Sequence, residues 1–162
     1  MKKSIFSLFF SNDKLNIFDK PFRKIQIFDF IFKKRVFNFH EITNIPQSLQ
    51  KEVNDNFYIL DVEPIDEKTS KDGTIKYLFK LKDENCIESV LLKDENERYT
   101  FCISTQVGCR FNCSFCMTGR MGFVRDLTYT EIISQILFLS KIIYKASIRN
   151  PGFNLNDKCF WT

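Results

Sequence analysis

Three of the six cysteines of the chain lie in one short stretch, Cys109-Arg110-Phe111-Asn112-Cys113-Ser114-Phe115-Cys116. This stretch, the cysteine loop, follows the spacing C-x3-C-x2-C and has an aromatic residue directly before its third cysteine. The usual iron-sulfur clusters that only transfer electrons are held by four thiolates. A tight set of three can bind three irons of a 4Fe-4S cluster and leaves the fourth iron open. The spacing therefore predicts an iron that is reserved for a substrate or a cofactor.

Two other interpretations of these cysteines are a zinc site and unrelated buried thiols. Zinc knuckles and ribbons use C-x2-4-C pairs that a second Cys or His pair completes. Here the one histidine, His40, lies far upstream, and the remaining cysteines are scattered along the chain. Ligand spacing and context therefore favour the iron-sulfur interpretation, while a structural zinc module remains an alternative.

The length of 162 residues suits one ordinary domain or two small ones. A complete (β/α)8 barrel needs about 200 residues or more, so this chain is too short to hold one. With 44% hydrophobic and 27% charged residues the composition is that of a globular protein, and the net charge of +4 is modest.

No leader or membrane anchor is predicted. The apolar stretch near the N-terminus is short, Ser7 interrupts it, and no small-residue cleavage site follows. No stretch approaches the roughly 18 uninterrupted apolar residues of a membrane span. Cysteines that concentrate in a metal-type motif fit a reducing compartment. We therefore expect a cytoplasmic protein with no membrane contact.

Apolar residues recur at helical steps over residues 22–37, which predicts a helix there. Its polar face is basic and consists of Arg23, Lys24, Lys33, Lys34 and Arg35. These cations can contact RNA phosphates, although a charged helix face is more often only solvated. A second helix is predicted after Pro46, with Leu49 and Val53 as its apolar stripe. Residues 1–56 are thus predicted as a helical, RNA-binding-like region.

A two-residue period replaces the helical pattern in the next part of the chain. Alternation predicts a strand over Ile75–Leu81 after a turn at Asp72-Gly73, and a second strand over Cys86–Leu92. Glu88 lies on one face of that second strand together with two apolar residues. A carboxylate is unusual there if this face is buried. Residues 57–97 are therefore predicted as a β-hairpin with antiparallel strands.

A predicted strand over Tyr99–Thr105 leads directly into the cysteine loop. Glycines before and after the loop allow tight backbone close to a bulky cluster. Thr128-Tyr129-Thr130-Glu131 is a capping box before apolar residues at helical spacing. Residues 98–149 are therefore predicted as one β/α unit, and residues 150–162 as an irregular tail. These patterns predict an α+β N-terminal region followed by one β/α unit.

Longer stretches around the cysteine loop are distinctive. They are Phe101-Cys102-Ile103-Ser104-Thr105-Gln106-Val107-Gly108-Cys109, Thr118-Gly119-x-x-Gly122-Phe123-x-Arg125-Asp126-Leu127-Thr128-x-x-Glu131-Ile132 and, upstream, Pro21-Phe22-Arg23-x-x-Gln26-Ile27 and Ile42-Thr43-Asn44-Ile45-Pro46. Together they resemble the dual-specificity RNA methyltransferases, radical S-adenosylmethionine enzymes that methylate carbon 2 of adenine in 23S rRNA and tRNA. The resemblance covers roughly residues 20–147. It implies that the β/α unit is the start of a partial (β/α) radical-SAM barrel, which is incomplete in this chain, so the predicted fold class is an α+β N-terminal region followed by the start of that barrel.

The resemblance also implies roles for individual residues. Cys109, Cys113 and Cys116 would hold a 4Fe-4S cluster whose open iron binds S-adenosylmethionine. Glu88 would be the proton acceptor, because a base must remove the proton at carbon 2. Cys102 would attack a methylated cysteine elsewhere in the protein, form a disulfide bond and free the product. Without the resemblance, the ordinary interpretations are a water-facing carboxylate for Glu88 and a small buried hydrophobe for Cys102.

The implied partners are rRNA, tRNA and an external electron donor, and we expect a monomer. The family's barrel continues beyond the matching residues and contains the cysteine that becomes methylated. Cys159 does not lie in a matching context, so we expect this chain alone to be an inactive or incomplete fragment. Two alternatives remain: a non-catalytic RNA-binding fragment that uses the basic helix, and the structural zinc module.

Overall fold

The computed structural model describes residues 2–9, 20–94, 98–111, 113–115, 117–149 and 159–161. The chain divides into two compact units, Met1–Asp61 and Val62–Thr162. Each unit encloses its own set of buried apolar side chains. Among the helices of these residues, none has the length and apolar character needed to cross a membrane.

The first unit is mainly helical. Its elements are β1 (Lys3–Ser4), a 3-10 helix (Ile5–Phe9), α1 (Pro21–Lys34), a second 3-10 helix (Phe39–Glu41), α2 (Gln47–Asn56) and β2 (Phe57–Tyr58). The two short strands pair in parallel. The fully buried apolar side chains of this unit are Ile5, Phe6, Ile27, Ile31, Ile42 and Val53.

Both predicted helices of this unit are present. Helix α1 stops at Lys34, because Arg35 adopts the left-handed conformation with a φ of 55°. It is therefore shorter at its C-terminus than the predicted residues 22–37. Helix α2 buries Leu49 and Val53, as its pattern predicted.

The second unit is built from strands and two helices. Its elements are β3 (Val62–Thr69), β4 (Ile75–Leu81), β5 (Cys86–Lys93), β6 (Tyr99–Cys102), β7 (Gln106–Gly108), α3 (Met117–Arg120), β8 (Phe123–Asp126), α4 (Tyr129–Arg149) and β9 (Cys159–Trp161). Five strands form the main sheet in the order β3-β4-β5-β6-β9, and β7 pairs with β8 in a separate ribbon. The main sheet is antiparallel except for the parallel pair of β6 and β9.

One face of the main sheet is covered by α4, and we call it the covered face. The ring of Phe138 on α4 lies edge-on to the rings of Tyr77 and Phe79, with centroid distances of 5.2 and 5.1 Å. Such edge-to-face pairs add to the free energy gained from apolar burial. The other buried apolar residues of this cluster are Val62, Leu81, Ile87, Leu91, Phe101, Val107, Leu127, Leu139 and Ile143.

The opposite face, which we call the open face, carries Glu88. On β5, Ile87 and Ser89 are buried and Glu88 is exposed, so the face that Glu88 shares with Val90 and Leu92 is the exposed one. The sequence pattern left the burial of this face undecided. Glu88 lies opposite Leu78 of β4 in the strand register.

Two parts of the second unit differ from the sequence-based expectations. The predicted strand over Tyr99–Thr105 ends at Cys102, and the chain then turns into β7. In the predicted irregular tail, Cys159–Trp161 form β9 beside β6. The rest of that tail, residues 150–158 and 162, lies outside the described residues. Within the described residues the strands form no closed barrel, which agrees with the start of a partial barrel.

Candidate functional site

The chain enters and leaves the cysteine loop through a narrow neck at the ends of β7 and β8. Gly108 has a φ of 71°, a conformation that residues with a side chain rarely adopt. A Cβ at this position would lie 1.7 Å from the carbonyl oxygen of Gly122. The N–H of Cys109 donates a hydrogen bond to the same oxygen at 3.2 Å. Direct backbone contact therefore holds together the two ends of the segment 109–122, which contains the cysteine loop.

Side chains from both strands of the neck fix the start of the cysteine loop. The guanidinium group of Arg110 donates to the carboxylate of Asp126 at 2.5 Å, and it lies 4.3 Å from the ring centroid of Phe123. The side-chain amide of Gln106 donates to the other oxygen of Asp126 at 2.9 Å. The backbone on each side of Cys109 is consequently anchored.

The thiols of Cys109 and Cys113 are unpaired and partly exposed. Cys116 lies outside the described residues, so the geometry of the three predicted ligands as a set is not defined. Among the residues that the structure describes, no group of three or more His, Cys, Asp or Glu side chains is placed to hold a metal ion. The chemistry of the two described thiols fits an iron-sulfur cluster, whose protein ligands are cysteine thiolates.

A cleft of about 320 Å³ joins the open face of the main sheet to the segment that contains the cysteine loop. The sheet contributes Lys76 and Glu88 to its lining, and the neck contributes Gly108. Thr118 and Met121, which follow the three cysteines, also line it. The structure therefore brings the predicted proton acceptor to a cleft beside the predicted cluster loop.

Glu88 is held in this cleft by two contacts. Its carboxylate oxygen Oε1 accepts a hydrogen bond from Nζ of Lys76 at 2.9 Å, and its side chain is 54% exposed. Its backbone carbonyl accepts from the hydroxyl of Ser104 at 2.7 Å. Glu88 is thus an oriented carboxylate that solvent and small molecules can reach.

Cys102 is the last residue of β6, and its thiol is unpaired and exposed. The ordinary interpretation of a small buried hydrophobe is therefore wrong. Cys102 lies directly opposite Val90 in the strand register, and Glu88 is two residues from Val90 on β5. Residues in this diagonal relation lie roughly 7–8 Å apart on one face of a sheet. Cys102 and Glu88 therefore share the open face.

Arg125 links the turn that contains Asp83 to the start of α4, and the sequence analysis did not predict these contacts. Its guanidinium group makes two hydrogen bonds to Glu131, at 2.9 and 2.8 Å, and a third to Asp83 at 2.7 Å. Glu131 also accepts from the N–H of Thr128 at 2.8 Å, which confirms the predicted capping box. Burial alone would raise the pKa of Glu131, but the bonds from Arg125 and Thr128 outweigh it and lower the pKa.

Asp83 belongs to the same network. The hydrogen bonds from Arg125 and Asn85 lower the pKa of Asp83 to about 2. Asp83 lies in the turn between β4 and β5, and Arg125 lies on β8, so their pairing depends on the tertiary fold. A sequence motif over Thr128–Glu131 could predict the helix cap, but it could not predict these distant partners.

Gln135 on α4 was also missed by the sequence analysis. It is fully buried, with 0% of its surface exposed, although it lies among residues at apolar helical spacing. Its side-chain amide bonds to Ser89 of β5 and to both backbone polar groups of Ser104. A polar residue inside an apolar helical stripe is the one signal that could have identified it.

Comparison with known proteins identifies relatives for both units. The family model described as "Ribosomal RNA large subunit methyltransferase N-terminal domain" matches residues 8–59. The dual-specificity RNA methyltransferase RlmN of Campylobacter fetus is 42% identical over 144 residues, which cover 81% of this chain and 41% of that protein. A probable RlmN of Fervidobacterium nodosum is 46% identical over 123 residues, covering 75% of this chain and 35% of that protein.

A solved structure shows the same relationship at the level of the fold. The crystal structure of a radical SAM methyltransferase from Sphaerobacter thermophilus matches with a TM-score of 0.73 and 34% identity. The match covers 78% of this chain and 37% of that one. This chain therefore spans about two fifths of the length of the relatives it matches. The resemblance predicted from the motifs is confirmed: over the matched residues this chain is similar in sequence and fold to part of the dual-specificity RNA methyltransferases named RlmN and of a radical SAM methyltransferase.

Proposed function

We propose that this chain carries the cluster-binding part and the proton-accepting part of a radical S-adenosylmethionine methyltransferase that acts on carbon 2 of adenine in rRNA and tRNA. The observation that carries the proposal is the cleft in which Glu88 lies beside the residues that follow the three cysteines. The matching relatives are named RNA methyltransferases, and the matching structure is named a radical SAM methyltransferase.

Cys109, Cys113 and Cys116 are the proposed ligands of a 4Fe-4S cluster. When bound, the cluster and S-adenosylmethionine would supply the radical chemistry that an unreactive aromatic C–H bond requires. The protein's own contribution is to place the thiols. The backbone contact at Gly108 and the ion pair of Arg110 with Asp126 fix the first thiol relative to the cleft.

Glu88 is the proposed acceptor of the proton that leaves carbon 2 of the adenine. A general base must lie within hydrogen-bond reach of the proton it takes, and Glu88 is accessible from the cleft. The ammonium group of Lys76 holds one carboxylate oxygen and so orients the carboxylate. Cys102, on the same face, is the proposed thiol that attacks the sulfur of the methylated cysteine. A disulfide bond forms, the carbon–sulfur bond to the product breaks, and the released carbon keeps the bonding electrons and takes up a proton.

Anaerobic iron and sulfide analysis with electron paramagnetic resonance tests the metal site. We expect about four irons per chain after reconstitution, and a signal of the reduced protein that shifts when S-adenosylmethionine is added. Cys113→Ala should lose most of the iron. Cys86→Ala is the matched control, because Cys86 is an unpaired thiol on β5 outside the cysteine loop. Stoichiometric zinc, or no metal at all, contradicts the proposal and in the first case supports the structural zinc module.

The complete reaction is a separate question, because this chain spans about two fifths of the matching relatives. The proposed site lacks the methylated cysteine and the rest of the barrel that the family uses. We therefore expect no methylated adenosine when this chain alone is incubated with RNA, reductant and S-adenosylmethionine. Detection of 2-methyladenosine by mass spectrometry would show that the chain is active by itself.

RNA binding without catalysis is the second candidate function, and the exposed surface of α1 favours it. Phe22 is 45% exposed, and the guanidinium group of Arg23 lies 4.9 Å from its ring centroid. An aromatic ring beside a cation can stack on an unpaired base and contact a phosphate. If this unit binds RNA, the affinity should fall steeply between low and high salt, and Arg23→Gln should weaken binding. An affinity that does not depend on salt excludes this function.

A further inference from the structure

A single buried side chain connects the helix α4 with both parts of the candidate site. Oε1 of Gln135 accepts hydrogen bonds from the hydroxyl of Ser89 at 2.7 Å and from the N–H of Ser104 at 2.9 Å. Nε2 of Gln135 donates to the carbonyl of Ser104 at 3.0 Å and to the carbonyl of Glu131 at 3.3 Å. All the polar atoms of the Gln135 amide therefore have partners inside the protein.

The bonds to Ser104 have an unusual form. Ser104 follows β6 and precedes β7, so its backbone has no neighbouring strand in the sheets described above. One amide side chain binds both its N–H and its C=O, which replaces the pair of bonds that a neighbouring strand would make. This arrangement fixes Ser104 at the point where the chain turns from Cys102 toward Cys109.

Ser104 in turn contacts the strand that carries the proposed base. Its hydroxyl donates to the backbone carbonyl of Glu88 at 2.7 Å. Ser89, the residue after Glu88, is 1% exposed and donates to Gln135. The backbone of Glu88 is thus held from two sides, directly through Ser104 and through its neighbour Ser89, and both connections converge on the amide of Gln135.

An apolar residue of similar length would fill the same volume under the sheet. A buried amide is costly unless all its polar atoms are paired, and a fully paired buried network specifies one arrangement of its partners. Packing of α4 alone therefore does not explain a glutamine here. The network explains it, because it links two backbone segments, at Ser89 and at Ser104, and Ser104 itself lines the cleft.

We propose that Gln135 is a positioning residue for the candidate site: it fixes Ser104, and through Ser104 and Ser89 it fixes the backbone that presents Glu88 and the segment that leads to Cys109. Its relevance to catalysis rests on the function proposed above. Its effect on the backbone does not depend on that function and can be measured on the metal-free chain.

Amide hydrogen exchange of the metal-free chain by NMR is the first test, with Gln135→Met as the main variant. Methionine is similar in length and removes all four hydrogen bonds. Exchange of the Ser104 amide should become at least about tenfold faster, while the amides of β3 and β4 keep their protection. Ser134→Ala is the matched control, because Ser134 is equally buried on the same helix and donates to Thr130 within that helix at 2.7 Å.

The same variants are then reconstituted with iron. Gln135→Met should bind clearly less iron than the wild-type chain, whereas Ser134→Ala should bind the wild-type amount. Unchanged Ser104 exchange in Gln135→Met, or an equal rise across the whole sheet, overturns the inference. A wild-type chain that binds no iron contradicts the proposed function, but the exchange result still decides the role of Gln135.

A second variant keeps the test valid if Gln135→Met does not fold. Ser104→Ala removes the hydroxyl that reaches the Glu88 carbonyl and leaves both backbone bonds to Gln135 in place. The amide of residue 104 should stay protected, while the NMR signals of Glu88 and Lys76 shift. No shift at Glu88, or loss of protection at residue 104, contradicts the connection that we infer.

Discussion

The covered face and the open face of the main sheet use alternate residues of the same strands for opposite purposes. On β5, Ile87 and Leu91 are buried against the helical layer, whereas Glu88 between them is 54% exposed in its side chain. On β6, Phe101 is buried and Cys102 is exposed. Residues that stabilise the core and residues that are candidates for chemistry therefore alternate along each strand. Substitutions at neighbouring positions should therefore have very different effects.

The largest effect is expected from Phe79→Ala on the covered face. Phe79 is 0% exposed and its ring contacts Tyr77 and Phe138, so removal of the ring leaves a cavity in the core. We expect a loss of about 3–5 kcal/mol in the free energy of unfolding, measured by urea denaturation. Leu78→Ala is the control, because Leu78 directly precedes Phe79 and lies on the open face. It should lower the free energy of unfolding much less. Equal losses for both variants would remove the distinction between the faces.

The second prediction concerns the neck, which connects the open face to the cysteine loop. Gly108→Ala places a methyl group against the carbonyl of Gly122, whereas Gly122→Ala meets no atom within 4 Å although its φ is 76°. We expect Gly122→Ala to cost about 1–2 kcal/mol, the usual penalty of a left-handed residue, and Gly108→Ala to cost clearly more. Gly108→Ala should also lower the iron content after reconstitution. Similar unfolding energies for the two variants would mean that the backbone contact can relax.

Acid sensitivity should reveal the two carboxylates that pair with Arg125. The pKa values of Glu131 and Asp83 are lowered in the folded chain, to about 2 for Asp83. Both groups therefore bind protons more weakly folded than unfolded, so their contribution to stability is complete above about pH 5 and is lost as the pH falls toward 2. Glu131→Gln should flatten this part of the stability curve. A curve that Glu131→Gln does not flatten would contradict the assignment.

The smallest effect on stability is expected from Glu88→Gln. The salt bridge of Glu88 with Lys76 is solvent-exposed, so its loss should change the free energy of unfolding by no more than about 0.5 kcal/mol. The same substitution should abolish proton transfer in any active form of the site, because an amide cannot act as the base. Thermal unfolding of the variant checks the first statement. A loss of several kcal/mol in the free energy of unfolding would mean that Glu88 stabilises the fold.

The sequence predicted the local elements well, because alternation and capping signals lie within a few residues of one another. It could not decide which face of β5 is buried, since apolar residues lie on both faces: Leu91 is 1% exposed, but Leu92 is 42% exposed. The cover supplied by α4, about 40 residues further along, decides this. The partners of Arg125 and Gln135 were missed for the same reason, because they come from distant elements.

The recognition of the cysteine loop rests on a different kind of information. Its spacing and the motifs around it predicted the family, and the comparisons confirm that resemblance. The roles of Glu88 and Cys102 remain predictions that the exposed, shared face of the sheet supports. The strand β9 had no signal in the sequence, since its three residues pair only through a tertiary contact with β6.

The backbone contact between Gly108 and Gly122 has a consequence for the thermodynamics of metal uptake. The contact is made by backbone atoms of the protein itself, so the entropy lost when this segment closes is part of the entropy of folding. Metal affinity then depends on the stability of the neck as well as on the thiols. Closure entropy also grows slowly with length, since each doubling costs about 0.6 kcal/mol. Extra residues between Cys116 and Gly122 would therefore cost little closure entropy, whereas a side chain at position 108 would break the contact.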